Sequence, residues 1–280
     1  MKFIHSFSLF WRYARCRYVL YRIFLRVKMG KDKRGEFLAQ NRVSEFDFLP
    51  ERTYITQDGI KAIPRPKTRD FQMLFISREQ EVKRHLAMEE NETFLDVGAN
   101  VGAYSLMIAN EYKDKGVKVI AIEAHPENFK ALCRNIECNK FENIILAINK
   151  VISDYKGSID LYDRSHDGTR VDSEMYSICS DQRIGAYNTL HPGGKSLRVE
   201  CNTLDNILDT EKVDVIKMDV EGAEVLALKA APKTLGRIRK IVVEIHGDNS
   251  EEVERLLRTH GFNLEIINEA GQMSYIAGCK

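Results

Sequence analysis

The sequence has six cysteines and seven histidines in 280 residues, yet no Cys-x-x-Cys pair and no cluster combining the two. That excludes the usual zinc-finger spacing and gives no disulfide framework, so reduced thiols in a cytoplasmic protein are expected. No apolar run approaches the ~20 residues that span a bilayer. No secretory signal is read either, because arginines interrupt the apolar stretch near the start and no small-residue cleavage site follows. The chain lacks the G-x-G-x-x-G loop of dinucleotide binders and the G-K-[ST] of a P-loop. It also lacks an N-P-P-[YF] stretch, which would suggest methylation of a base amino group. No internal repeat is visible.

The length and a hydrophobic content of 44% suit one large α/β domain with extensions, or two modest domains. The overall charge of +1 hides an asymmetry. Residues 1–35 hold ten Lys or Arg against one acid, Asp32, so a basic arm of +9 precedes a body of −8. On a helix, Arg12, Arg15, Arg22 and Arg26 fall within roughly 80° of one another, and much of the remaining circumference is apolar. Two expectations follow for residues 1–28. One is an interfacial helix in peripheral contact with an anionic inner membrane face. The other is a helix packed on the body or on a second subunit. The acidic body argues against a nucleic-acid partner.

Residues 36–90 read as a lead-in or cap region, with a short hairpin turning at Asp58-Gly59 and a helical stretch after it. From residue 91, strands and helices alternate. "TFLDVGA", "VKVIAIEA", "IILAINKVIS", "VDVIKMD" and "RKIVVEIH" read as strands, separated by helical patterns. Pro126 opens one helix, Thr203 caps a short one, "EVLALKAAPKTL" forms another, and Ser250 caps the last. The chain closes as a hairpin across Glu269-Ala270-Gly271. This alternation predicts a mostly parallel sheet with helices on both faces and one antiparallel C-terminal strand. Residues 163–198 break the pattern: they are long and polar, and read as a substrate-facing insertion.

Two stretches carry chemistry. In "FLDVGANVGAYS", Asp96, Gly98, Asn100 and Gly102 lie where the first strand of the alternation turns into its helix. There glycine lets a ligand approach the backbone, and open α/β sheets bind ligands beyond such strand ends. Without a phosphate-binding pattern the loop suits a nucleoside. Glu123 ends the next strand, placed to accept hydrogen bonds from two ribose hydroxyls. In "IKMDVEGAEV", three acids, Asp219, Glu221 and Glu224, crowd the end of another strand. His246 ends the neighbouring strand, and Glu244 shares its sheet face. A carboxylate or imidazole at such a place can take a proton from a weak nucleophile such as an alcohol. Two other readings stay open: a divalent metal on the acids, which is less favoured and whose ligands are unknown, or acids that stabilise the positive end of a helix.

"DVGANVGAYS", "AIEAHPENFKALCRNIECN", "IKMDVEGAEVLALKAA" and "IVVEIH" together resemble the FkbM family of S-adenosylmethionine-dependent methyltransferases over about residues 60–278. The resemblance implies the class I methyltransferase (Rossmann-like) fold, a seven-stranded sheet with a reversed last strand, within residues 91–280. It implies S-adenosyl-L-methionine as cofactor and O-methylation of a hydroxyl on a small-molecule, sugar, glycan or natural-product-like acceptor. Asp96, Gly98, Asn100 and Gly102 would border the methionine part of the cofactor, Glu123 the ribose, and Ile152 and Ser153 the adenine. Asp219, Glu221 and His246 would serve the chemistry. The alternatives are a non-catalytic nucleoside-binding relative acting through its basic arm at a membrane surface, and a relative that transfers another group, such as aminopropyl.

Overall fold

A computed structural model describes residues 50–66, 68–75, 80–163, 176–177, 196–269 and 273–280. The basic arm and most of the insertion lie outside them. Glu51–Lys280 forms one unit. In chain order its elements are β1 (Tyr54–Ile55), β2 (Lys61–Ala62), α1 (Asp70–Phe75), α2 (Gln80–His85), β3 (Thr93–Val97), α3 (Ala103–Tyr112), β4 (Lys118–Glu123), α4 (Pro126–Asn139), β5 (Ile145–Asn149), β6 (Val151–Ile152) and β7 (Gly157–Asp163). There follow β8 (Tyr176–Ser177), β9 (Ser196–Asn202), α5 (Leu204–Ile207), β10 (Val215–Met218), α6 (Glu224–Lys229), α7 (Pro232–Arg237), β11 (Lys240–Ile245), α8 (Ser250–Thr259), β12 (Asn263–Glu269) and β13 (Met273–Cys279). No helix among the described residues is long and apolar enough to cross a membrane.

Seven strands form the central sheet in the order β12-β13-β11-β10-β3-β4-β5. All neighbours are parallel except at β13, which runs antiparallel to both β11 and β12. β13 is thus the one reversed strand, as expected for the second strand of a C-terminal hairpin; the turn expected across Ala270-Gly271 lies outside the described residues.

Strand alternation divides the apolar side chains between two cores. Phe94, Val119, Ala121, Val215 and Val242 face a core shared with α3, α4 and the lead-in residues Ile60, Ala62, Leu74, Val82 and Leu86. Leu95, Ile120, Ile122, Ile216 and Val243 face the opposite core, built with residues of α5 to α8. The lead-in residues are also tied to α4 by hydrogen bonds. Asn135 accepts from Ile63 N at 2.8 Å and donates to Val101 O at 2.9 Å, so one buried amide fastens the lead-in to the glycine loop.

Local departures from the sequence reading have simple causes. The strand expected over "IILAINKVIS" breaks at Lys150, and β6 leaves to join a second sheet, β6-β9-β7-β8, which the alternation did not foretell. The helix expected over "EVLALKAAPKTL" is two helices, because Pro232 has no N–H to continue the first and instead opens α7. Asn249, not Ser250, stands at the N-cap of α8. The Thr203 cap is formed: its hydroxyl accepts from Asn206 N at 3.1 Å.

The tightest constraint lies where β3 and β10 end side by side. Gly98 has φ +81°, and a Cβ there would sit 1.7 Å from the carbonyl oxygen of Asp219. That carbonyl belongs to the backbone following a central strand and cannot swing aside as a side chain could. We therefore predict that Gly98→Ala lowers stability in urea denaturation by at least ~3 kcal/mol, the upper part of the usual overpacking range. Gly236→Ala, on helix α7 with nothing within 4 Å of its Cβ position, should be neutral or gain ~0.4–1 kcal/mol. Equal responses would contradict the packing argument.

Candidate active site

Four ionisable side chains stand at the carboxyl ends of four adjacent strands: Glu123 on β4, Asp96 on β3, Lys217 on β10 and Glu244 on β11. By alternation they share the face occupied by Phe94, Ala121, Val215 and Val242, so each is the polar end of an otherwise apolar row. All four are buried.

The glycine loop folds over the end of β4. Gly98 N and Ala99 N both donate to Ile122 O at 2.9 Å. Asn100 adopts φ +49°, and its N–H donates to Glu123 Oε2 at 2.8 Å. His125 N donates to the other oxygen of Glu123, also at 2.8 Å. Asn149 Nδ2 donates to the carbonyl of Glu123 at 2.8 Å, fixing that strand end against β5. Asp96 lies beneath the loop. Its Oδ2 accepts from Ser105 Oγ at 2.6 Å, and its buried Oδ1 has no hydrogen-bond partner among the described residues.

The acid-rich turn closes the other side. Asp219 N donates to Val97 O at 2.9 Å, which continues the β3–β10 ladder into the turn. Lys217 Nζ lies 2.9 Å from Asp219 Oδ2 and 5.0 Å from the Tyr104 ring centroid. Glu221 and Gly222 have φ of +51° and +96°, a left-handed pair that reverses the chain before α6. His246 Nε2 then sits 3.6 Å from Glu221 Oε2, 3.6 Å from Glu244 Oε1 and 3.9 Å from Asp219 Oδ1. The glycine loop, Glu123 and the turn at Asp219 are therefore contiguous. Ile152 and Ser153 are placed differently: Ile152 packs into the second core, and Ser153 is buried just past β6 with its N–H on Asn202 O at 3.0 Å.

The sequence profile of the methyltransferase FkbM domain matches residues 96–271, the span from Asp96 through β12. The chain belongs to the FkbM methyltransferase family. It is 25% identical over 205 residues to methyltransferase sdnD of Sordaria araneosa, covering 63% of this chain and 76% of that one. It is 24% identical over 204 residues to the hexuronic acid methyltransferase AglP of Haloferax volcanii, covering 71% and 76%. A crystal structure of methyltransferase FkbM from Methylobacillus flagellatus KT is 16% identical, with a TM-score of 0.47 over 69% of this chain. The chain spans 45% of that protein.

In this FkbM family member, burial and charge pull the site's groups in opposite directions. Burial pushes Glu123 up to about 7 against the backbone N–H groups that favour its anion. Burial likewise raises Asp96, opposed by Lys217 and Ser105. Glu244 is raised to about 9 by burial and by the neighbouring Asp219 charge. Asp219 goes the other way: burial opposes its charge, but Lys217 and His246 outweigh burial and lower its pKa. Burial also opposes the charge of Lys217, yet Asp219, Glu244 and Asp96 hold it above its ordinary value. For His246, burial is outweighed by the Glu224 hydrogen bond and by Glu221 and Asp219, which raise it to about 10.

Lys217 escaped the sequence reading, although a lysine inside the apolar run "VDVIKM" is a signal that could have found it. For Glu224 the sequence offered the reading of an acid that opens a helix and stabilises its positive end. It does open α6, but it is fully buried and bonded to His246.

Stability should carry the mark of these shifts. Glu123 and Glu244 keep protons in the folded state that the unfolded chain loses near 4.5, and His246 keeps its proton above 6.5. The folded state thus binds more protons between about pH 5 and 10, so stability falls as pH rises through that window. The contribution of His246 is complete below 6.5 and lost as pH passes about 10. Melting temperature is expected to decline from pH 6 to pH 9, less steeply in His246→Asn and Glu244→Gln. A flat or rising wild-type profile would contradict this.

Proposed function

We propose that the protein is an S-adenosylmethionine-dependent O-methyltransferase acting on a hydroxyl of a sugar, glycan or natural-product-like acceptor. The observation that carries the reading is the junction of the Asn100 loop, the Glu123 carboxylate and the Asp219 turn at adjacent strand ends. A nucleoside group has polar partners on one side of that junction, and an acceptor has proton-accepting groups on the other. When bound, the cofactor supplies a methyl group activated by a sulfonium charge.

The residues fit such a group. Glu123 presents a carboxylate fixed by two N–H donors at 2.8 Å, the arrangement needed to receive ribose hydroxyls. Asp96 Oδ1 is a buried acceptor with no donor among the described residues, and an amino group of the methionine part would supply one. Gly98, Asn100 and Gly102 shape the loop between these acids; Ile152 and Ser153, buried at the end of β6, stay the proposed border of the adenine. Asp219, whose charge is favoured by Lys217 and His246, would supply the anion that answers the cofactor's positive charge. Glu221 is placed to take the acceptor's proton, an effect typically worth ~10²–10⁴-fold. His246, raised to about 10 and so largely protonated at neutral pH, shares that role only in its neutral form. Holding the reacting atoms in line contributes up to ~7–11 kcal/mol.

The sugar class draws support from the hexuronic acid methyltransferase among the relatives. We assign residues 91–280 to the catalytic domain, 36–90 to a lead-in, and 163–198 to the acceptor side. Ligating atoms of Asp219, Glu221 and His246 lie within 4.8 Å of one another, a spacing a divalent cation could use. Lys217 already provides a buried counter-charge to Asp219, so we keep the metal-free reading.

Calorimetry with S-adenosylhomocysteine tests cofactor use directly. Mass-spectrometric screening of glycan and lipid extracts for a gain of one methylene then identifies the acceptor. Glu123→Ala should weaken S-adenosylhomocysteine binding at least tenfold with little change in folding. Asp219→Asn should abolish transfer while leaving that affinity within a few-fold. Retained activity in Asp219→Asn removes Asp219 from the mechanism, and wild type that does not bind the nucleoside ends the proposal.

A further inference from the structure

Glu224 has no part in the reading above, yet its surroundings are those of a working residue. Its side chain is fully buried. Oε1 accepts from Gly222 N at 2.8 Å and contacts His246 Nδ1 at 2.9 Å. Oε2 accepts from Asn249 Nδ2 at 3.0 Å. A backbone N–H and an amide NH₂ can only donate, so the carboxyl is turned into an acceptor on both oxygens. The His246 contact then has one consistent polarity: Nδ1–H donates and Glu224 receives. The other ring nitrogen, Nε2, is left facing Asp219, Glu221 and Glu244 at 3.6–3.9 Å.

Three separate chain segments build this arrangement. The left-handed pair at Glu221 and Gly222 delivers Glu224 to the first turn of α6. The end of β11 delivers His246, and the N-cap of α8 delivers Asn249. A helix-opening acid that merely answered the helix's positive end would need neither full burial nor an imidazole. An orienting carboxylate on one ring nitrogen is how a histidine is kept in the tautomer and rotation that let the other nitrogen accept a proton.

We propose that Glu224 is a positioning residue: it keeps a proton on His246 Nδ1 and fixes the ring, so that when the ring is neutral Nε2 is the nitrogen that accepts from the acceptor hydroxyl, with Asn249 holding Glu224 in place. This rests on the reading of His246 as a proton acceptor in methyl transfer.

The test uses the full chain with ¹⁵N-labelled histidine. The expected signature is a downfield, slowly exchanging Nδ1–H resonance, absent from His246→Asn. In Glu224→Gln its exchange with solvent should be at least tenfold faster and its shift upfield, while S-adenosylhomocysteine affinity stays within threefold of wild type. Asn249→Ala should give a smaller change in the same direction. If Glu224→Gln does not fold, wild type and Asn249→Ala still decide. No such resonance in folded wild type, or one unmoved by the variants, overturns the proposal. Calorimetry on the same samples separates the outcomes: wild type that fails to bind S-adenosylhomocysteine defeats the underlying reading. Normal binding with an unprotected Nδ1–H defeats this proposal alone.

Discussion

The carbonyl of Asp219 lies against the bare Cα of Gly98, and the arrangement of the site depends on that contact. It lets the ends of β3 and β10 run closer than any side chain would permit. One strand end carries the glycine loop and the other the acid-rich turn, so their approach determines whether one site exists or two. The Asp219 N–H to Val97 carbonyl bond holds the same junction from the other direction. A loop glycine is often credited with flexibility; here it supplies proximity.

Proximity on these terms creates an electrostatic problem. Asp96, Asp219, Glu221, Glu224 and Glu244 gather around one ammonium, Lys217, and one imidazole, His246. Such a group is tolerated only if protons or cations offset the charge. Glu244 answers by retaining a proton, and Lys217 by staying charged despite burial. A site with surplus negative charge suits a cofactor that arrives with a positive one, as the proposed S-adenosylmethionine would. Pre-arranged groups of this kind need not reorganise as the reaction proceeds.

Much of this was legible in the letters. Alternating apolar runs determined the sheet and its reversed C-terminal strand, and the place of Glu123 at the end of the next strand the pairing of loop and acid. What was hidden depends on relations between segments. Nothing local says that Lys150 ends one sheet and begins another, because both halves of "IILAINKVIS" have equal strand character. Glu224 has the composition of an exposed helix start, and only the return of β11 beside it brings His246 within 2.9 Å. Asn135 looks like an ordinary polar helix residue until Ile63 and Val101 are seen on either side of it. Ile152 was read at the end of the third strand, which ends instead at Asn149.

The most direct test is a crystal structure of the full chain with S-adenosylhomocysteine bound. The account predicts both ribose hydroxyls on the Glu123 carboxylate and the sulfur on the Asp219 and His246 side of the glycine loop. A nucleoside bound away from Glu123, or a sulfur directed away from Asp219, would contradict it.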